Sequence, residues 1–203
     1  MQRAAVQGAK ERTKVMSEKV LLIHLDNCVR CYACEVACRE EHGLTFETKS
    51  RWCQVMTIEP RWIYDEMHMD FVPVICFQCE DPLCVSLCPV DAISKRNDGI
   101  VVVDEGVCTG CKLCIYGCPY GAMFYDEVRG VVGKCDLCTS RIHGGLEPAC
   151  VQHCIGGALQ YVSQEELRDI TSGEHLLRIG MVYYASSKWN FKDRSREFEG
   201  HHT

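Results

Sequence analysis

Apolar residues in this chain occur in short runs that are separated by polar turns. Six runs have the length and the β-branched or aromatic composition of strands. They lie at 20–25, 55–58, 100–103, 123–125, 158–162 and 181–184. None approaches the roughly 20 apolar residues that span a bilayer, so we expect no membrane span.

Helix signals are fewer and also short. Two helices are predicted at 33–41 and 113–117, each inside a cysteine-rich group. A third is predicted from Ser163, because Ser163 and Glu166 have the spacing of a capping box, and it continues through Ile170. The Asn97-Asp98-Gly99 turn signal predicts a hairpin-like junction before the strand at 100–103. This pattern predicts an α+β fold.

Cysteine content changes this picture, because 17 of the 203 residues are cysteine. Such a density indicates either a secreted disulfide framework or a set of metal sites. Residues 1–19 lack the apolar segment of a secretory signal peptide. We therefore expect a cytoplasmic, reducing location, in which the cysteines bind metal.

Sixteen of the cysteines fall into four groups, and only Cys53 stands outside them. The groups resemble one another in spacing, which makes them an internal repeat of ferredoxin-like half-modules. They are Cys28-x2-Cys31-x2-Cys34-x3-Cys38, Cys76-x2-Cys79-x4-Cys84-x3-Cys88-Pro89, Cys108-x2-Cys111-x2-Cys114-x3-Cys118-Pro119 and Cys135-x2-Cys138-x11-Cys150-x3-Cys154.

This spacing favours [4Fe–4S] clusters. Three cysteines at x2 intervals supply three thiolates from one loop, and in two-cluster ferredoxins the last cysteine of each run binds the other cluster. Zinc is the alternative for a Cys-x2-Cys pair, but two of the groups have a third cysteine at x2, which zinc sites rarely use. A zinc-stabilised interaction module is therefore disfavoured, and a disulfide framework more so.

Charge and motif content exclude other functions. The formal charge of −6 argues against nucleic-acid binding, which requires a basic face. The glycine-rich pieces lack the strand-to-helix context of a nucleotide site, and no nucleophile–base pair is evident. The chain is therefore not predicted to be catalytic.

Four motifs resemble those of the four-cluster iron–sulfur subunit of dimethyl sulfoxide reductase-type enzymes, whose relatives serve polysulfide reductases and formate dehydrogenases. The resemblance covers about residues 20–166. The motifs are Cys79-Glu-Asp-Pro-Leu-Cys84, Asp98-Gly-Ile-Val-Val-Val-Asp104, Cys108-Thr-Gly-Cys111 through Gly117-Cys-Pro-Tyr-Gly121, and Lys134-Cys-Asp-Leu-Cys138. The chain departs from ferredoxin runs where Arg39 and Ile155 replace the proline after the last cysteine.

The resemblance implies two pseudo-symmetric ferredoxin-like modules and four [4Fe–4S] clusters. The first half would comprise 19–75 and 120–170 and the second 76–119, with extensions at 1–18 and 171–203. Each cluster would have a quartet of ligands. Quartet A is Cys28, Cys31, Cys34 and Cys154; quartet B is Cys38, Cys135, Cys138 and Cys150; quartet C is Cys76, Cys79, Cys84 and Cys118; quartet D is Cys88, Cys108, Cys111 and Cys114.

The function implied is electron relay without catalysis. The resemblance implies a molybdenum or tungsten pterin enzyme as the catalytic partner, and a flavin, quinone or ferredoxin partner at the other end. A free polyferredoxin that shuttles electrons between enzymes is the alternative.

Five further residues have predicted roles. Cys53 is expected to be a buried free thiol at the head of a strand. His143 and His153 are expected near the clusters or at the surface, not as ligands. Lys112 and Lys134, each beside a ligand, are either simple surface lysines or cations that tune a cluster.

Overall fold

The structure, a computed structural model, describes residues 19–45, 50–63 and 66–191. The predicted extension at 1–18 and the end of the one at 171–203 lie outside these ranges. The strands in the described part are β1 (Lys19–His24), β2 (Cys53–Ile63), β3 (Glu66–Ile75), β4 (Ile93–Lys95), β5 (Val101–Val103), β6 (Phe124–Asp126), β7 (Val131–Gly133), β8 (Leu159–Ser163), β9 (His175–Ile179) and β10 (Val182–Ser186). The helices are α1 (Ala33–His42), α2 (Leu83–Ser86), α3 (Leu113–Gly117), α4 (Thr139–His143), α5 (Ala149–Gln152) and α6 (Gln164–Ile170).

The main sheet has four strands in the order β8-β1-β10-β9. β1 is parallel to β10 and antiparallel to β8, so it lies inside the sheet. Its apolar run from Val20 to Ile23 is buried, as expected for a strand covered on both faces.

The interval 171–203, which is expected to be an extension, contributes two strands to this sheet. The described residues of the interval 171–203 include β9 and β10, and β10 pairs directly with β1. The interval is therefore part of the fold up to Phe191, because the apolar side chains of Val182, Tyr184 and Ala185 are buried in the core.

The other strands form three antiparallel pairs, β2–β3, β4–β5 and β6–β7. The predicted hairpin before residue 100 is confirmed as the β4–β5 pair. Gly99 lies in its turn with a φ of +87°, a conformation that favours glycine, and Asp98 accepts a hydrogen bond from the Ile100 N–H. Each predicted strand overlaps an observed one, which confirms the mixed strand and helix content.

The helix predictions are confirmed with small shifts. α1 ends at His42, one residue later than predicted, and is capped by Gly43, whose φ is +59°. The capping box of α6 is complete, since Ser163 Oγ accepts from the Glu166 N–H at 3.2 Å and Glu166 accepts from the Ser163 N–H at 2.7 Å. Among the described helices, none is long and apolar enough to cross a membrane.

Element order repeats along the chain in register with the cysteine groups. A strand leads into each group (β1, β3, β5 and β7), one or two short helices lie within it, and a strand follows its last cysteine (β2, β4, β6 and β8). The largest buried cluster combines apolar side chains with cysteines, among them Cys34, Cys38, Cys76, Cys135 and Cys150. The cysteines are therefore part of the core.

Candidate metal centres

The four cysteine groups share one backbone feature. The second residue after the first cysteine of each group has a positive φ: Arg30 at 54°, Gln78 at 51°, Gly110 at 66° and Leu137 at 55°. This left-handed conformation is strained for any residue with a Cβ, at about 1–3 kcal/mol. Three of the four positions are not glycine, so the surrounding fold imposes the conformation. Such turns direct successive N–H groups inward and form the concave nests seen at iron–sulfur sites.

Backbone N–H groups also reach the cysteine sulfurs. The donors lie near the first cysteine of the fourth group and just after the last cysteine of the second, third and fourth groups. The bonds run from Leu137 N to Cys135 Sγ at 3.4 Å, Ala92 N to Cys88 Sγ at 3.2 Å, Ala122 N to Cys118 Sγ at 3.5 Å, and Leu159 N to Cys154 Sγ at 3.3 Å. N–H bonds of this kind stabilise thiolate sulfur and raise cluster potentials.

The cysteines of quartet A surround one cavity. Its walls include Cys28, Cys31, Cys34 and Cys154. Burial raises the pKa of the Cys28 thiol, and the other three thiols of the quartet raise it further. Residues from the first and the fourth group therefore meet, although more than 100 positions of sequence separate Cys34 from Cys154.

Quartet B is the most deeply buried set. Burial raises the pKa of Cys38 to about 12, and the neighbouring Cys138 thiol adds to this. Burial also raises the pKa of Cys135 well above its usual value, with further contributions from Cys38 and Cys150. The structure brings these four thiols together as well.

The thiols of quartets C and D come from the second and third groups. Burial raises the pKa of Cys84 to about 11, and the thiols of Cys76, Cys118 and Cys79 add to it. In quartet D, burial raises the pKa of Cys114 to about 11, again with contributions from the Cys108 and Cys111 thiols. Cys88 packs in the same core as Cys108 and Cys114, and this core also includes Cys84 and Cys118 of quartet C.

Thiols of different quartets also lie close enough to raise each other's pKa, in addition to the effect of burial. These pairs show which quartets are neighbours. Cys34 in A raises the pKa of Cys150 in B, Cys76 in C raises that of Cys135 in B, and Cys84 in C raises that of Cys114 in D. The sequence of neighbours is therefore A, B, C, D. At the two ends Cys31 in A and Cys111 in D are exposed, whereas Cys135 and Cys150 in B are buried.

The donor set fits an iron–sulfur cluster. All seventeen cysteines are free, which excludes a disulfide framework in this structure. Grouped thiols with raised pKa values are neutral at pH 7, and a bound metal deprotonates them. Four thiols per site, inside loops whose N–H groups point at sulfur, suit a cube that needs four thiolates and hydrogen bonds to its sulfurs.

Two contacts to ligand sulfurs were not foreseen from the sequence. Cys53 is buried at the start of β2, as predicted, and its thiol donates a hydrogen bond to Cys34, which lowers the pKa of Cys34 and raises that of Cys53. His42 Nε2 lies 3.4 Å from Cys138 Sγ, and its ring packs against Trp52 in a tilted arrangement with centroids 4.6 Å apart. The spacing of the cysteines does not predict either contact, because the two residues of each pair are distant in sequence.

The remaining candidates divide into surface and buried positions. His143 and His153 are exposed; His143 Nε2 lies 2.8 Å from Arg96 Nη2, and His153 Nδ1 lies 2.9 Å from the Ala149 carbonyl. Lys112 lies over the Tyr125 ring, with Nζ 3.7 Å from its centroid. Lys134 is only 2% exposed, so the surface alternative is wrong for this residue.

Comparisons with known proteins agree with this chemistry. Residues 67–164 match the model of the 4Fe-4S dicluster domain. One chain of the anaerobic dimethyl sulfoxide reductase of Escherichia coli strain K12 is 38% identical over 155 residues, which are 72% of this chain and 74% of that protein. One subunit of the tetrathionate reductase of Salmonella typhimurium is 40% identical over 141 residues, 68% of this chain and 55% of that protein. A putative dimethyl sulfoxide reductase iron-sulfur subunit of Halobacterium salinarum is 32% identical over 168 residues, 68% of this chain and 63% of that protein.

Proposed function

Because the chain belongs to the [4Fe–4S] iron–sulfur subunit family of dimethyl sulfoxide reductase-type enzymes, we propose that it relays electrons through four [4Fe–4S] clusters in single file. Quartets A to D would each hold one cluster. Each cluster, when bound, would accept and donate one electron at a time. The protein supplies the thiolates, the N–H groups directed at sulfur and a core that keeps water from the inner sites.

The order of the quartets carries this proposal. Cysteines of A, B and C share one buried core and cysteines of C and D share another, so the quartets follow one another in the order A, B, C, D. Only the terminal quartets have an exposed cysteine, Cys31 in A and Cys111 in D. Electrons would therefore enter at one terminal quartet and leave at the other.

We further propose that the fold consists of two pseudo-symmetric ferredoxin-like modules. The first would be built from 19–75 and 120–170 and the second from 76–119. The repeated order of strand, cysteine loop, short helix and strand supports this division. In each proposed module, the last cysteine of one group completes the quartet of another, as in two-cluster ferredoxins.

The proposed role is that of a non-catalytic subunit. The relatives are each named as one chain or one subunit of a reductase, which favours a separate catalytic subunit. We propose a molybdenum or tungsten pterin enzyme for that subunit, and a flavin, quinone or ferredoxin partner at the opposite end. Assembly in the reducing cytoplasm is proposed as well, since the unpaired thiols must remain reduced until clusters are inserted. A free polyferredoxin is disfavoured by the family to which the protein belongs.

Metal analysis tests the cluster proposal. Protein purified without oxygen is expected to contain about sixteen iron atoms and about sixteen acid-labile sulfides per chain, because each of four quartets binds a cube of four iron atoms. Substituting Cys53 by alanine should leave both values unchanged, because its thiol contacts Cys34 but is not itself a ligand in any quartet. Zinc without sulfide, or an iron content near eight, would contradict the four-cluster proposal.

Exposed apolar side chains next to the terminal quartets test the subunit proposal. Ile155, which follows Cys154 of quartet A, is 82% exposed, and Tyr116, two residues after Cys114 of quartet D, is 84% exposed. Contiguous exposed apolar side chains often mark a partner surface, and the exposed Val36 lines the same surface depression as Ile155. We test Ile155→Glu and Tyr116→Glu. The variant at the end that faces the catalytic subunit is expected to raise the Kd for that subunit at least tenfold.

The matched control for these variants is Val128→Glu in the β6–β7 turn, where the side chain is 73% exposed. It should bind the catalytic subunit with unchanged affinity. Binding can be measured by co-purification and by titration with the separately tagged subunit. Equal affinity for all three variants, or a protein that never associates, would favour the free polyferredoxin.

A further inference from the structure

Lys134 is a buried cation, and its side chain is among the largest that are fully buried. The ammonium donates to the carbonyl of Val101, to the carbonyl of Cys135 at 2.9 Å and to Gln78 Oε1 at 3.5 Å. In the described part of the chain no Asp or Glu forms an ion pair with it. Burying a charge without a partner is costly, so this position requires an explanation.

Its partners identify the protonated form. An ammonium has three N–H donors and no acceptor, and three oxygens surround Nζ. The Gln78 amide is oriented by its other contacts, because Nε2 donates to the Cys135 carbonyl at 2.7 Å and Oε1 accepts from the Val101 N–H at 2.8 Å. Gln78 therefore presents an acceptor to Lys134, and a neutral amine would leave its lone pair without a donor.

Lys134 lies between two of the cysteine loops. Lys134 directly precedes Cys135 of quartet B, and Gln78 lies between Cys76 and Cys79 of quartet C. Burial raises the pKa of Cys79 and of Cys84, and the positive charge of Lys134 opposes this shift in both thiols. The Lys134–Gln78 pair thus lies at the junction of quartets B and C, where the two proposed modules meet.

We infer that Lys134 is a fixed buried positive charge that raises the reduction potential of the cluster in quartet C. The inference rests on the proposed function. A cube with four thiolates is negatively charged, and it becomes more negative when it accepts one electron from its neighbour. A buried cation stabilises the reduced form more strongly than an exposed one, because water does not screen it. The step transfers one electron from one cluster to its neighbour, and it forms and breaks no bond.

The test is a potentiometric EPR titration of the full chain with its clusters. Lys134→Met is expected to lower the ratio of reduced to oxidised cluster C at least tenfold at a fixed ambient potential, which is about 59 mV for a one-electron couple. The signal of cluster C is identified by its loss in a Cys84→Ser variant. Lys134→Arg, which keeps the charge, should restore the ratio to within threefold of the unmodified protein.

Lys95→Met is the matched control, because it removes the same charge from a side chain that contacts the same cysteine loop. Lys95 Nζ donates to the Cys79 carbonyl at 2.9 Å and to the Glu80 carbonyl at 2.6 Å, but the side chain is only partly buried. The ratio should change less than threefold. An equal effect of Lys95→Met, or a change below threefold in Lys134→Met, would overturn the inference.

Two safeguards keep the test decisive. Lys134→Gln retains a donor for one carbonyl and replaces Lys134→Met if that variant does not take up clusters. If neither neutral variant takes up clusters, the Lys134→Arg variant decides. Cluster potentials equal to those of the unmodified protein would support the need for a positive charge at this position. Failure of Lys134→Arg to take up clusters would overturn the inference. Iron and sulfide are measured in every sample, so an unmodified protein without clusters refutes the proposed function, whereas full loading with unchanged potentials refutes only the role of Lys134.

Discussion

Replacing Cys88 by serine is expected to remove the cluster of quartet D and to leave that of quartet C in place. Cys88 belongs by sequence to the group that supplies three ligands of C, so a reading of isolated motifs would place the damage in C. In the structure, Cys88 packs at a core that contains Cys108 and Cys114 of quartet D as well as Cys84 and Cys118 of quartet C, so the assignment of Cys88 to D rests on the family resemblance. Serine retains the size of the side chain but is a poor ligand for iron.

The expected magnitude is a loss of up to about four iron atoms per chain, or conversion of one cube to a smaller cluster. The measurement is metal analysis combined with EPR of the reduced protein. Cys84→Ser is the matched variant, from the same group and four positions earlier, and it should damage C instead. If both variants remove the same signal, the proposed exchange of ligands between groups is wrong.

Removing iron is expected to abolish cooperative folding of the whole chain. The largest buried cluster of side chains includes ligands of quartets A, B and C, so without clusters these thiols would leave cavities in the core. A structural metal contributes about 10–16 kcal/mol in small zinc domains, and a typical domain has about 5–15 kcal/mol of total stability. The stabilising free energy lost with four clusters is therefore larger than the stability that the apolar contacts supply.

Chelation under reducing conditions, followed by a thermal scan monitored by near-ultraviolet circular dichroism, measures this effect. The loaded protein should show a sharp transition, and the stripped protein none. Cys53→Ala is the control, because it should keep its iron and its transition. A stripped protein that still unfolds cooperatively would show that polypeptide packing alone determines the fold.

The sequence allowed the chemistry of the site to be predicted better than its surroundings. Cysteine spacing is read directly from the chain and led to the cluster type, and the Ser163 capping box located α6 to the residue. The strands β3, β4, β7 and β9 have no counterpart among the predicted strands. β3 contains Pro73 and β7 only three residues, and both are stabilised by pairing with a neighbouring strand, which local propensity does not report.

Backbone conformation and burial were the least predictable features. Arg30, Gln78 and Leu137 share a left-handed conformation without sharing any side-chain property that favours it. Lysine is almost never fully buried, so sequence statistics favour the surface for Lys134. Its burial follows from three carbonyl and amide oxygens that tertiary structure brings together, including one from β5, 33 positions away.

The pairing of β1 with β10 has a consequence for biosynthesis. On the ribosome, the ligands of the proposed quartets C and D have all been translated once Cys118 has been added, whereas A and B await Cys154 and Cys150. The main sheet closes later still, because β1 is made first and its parallel partner β10 ends at Ser186. Since chains grow at about 5–20 residues per second, β1 waits for roughly 8–30 seconds in the nascent chain without that partner. Cluster insertion into A and B is thus an event of late translation or of the released chain.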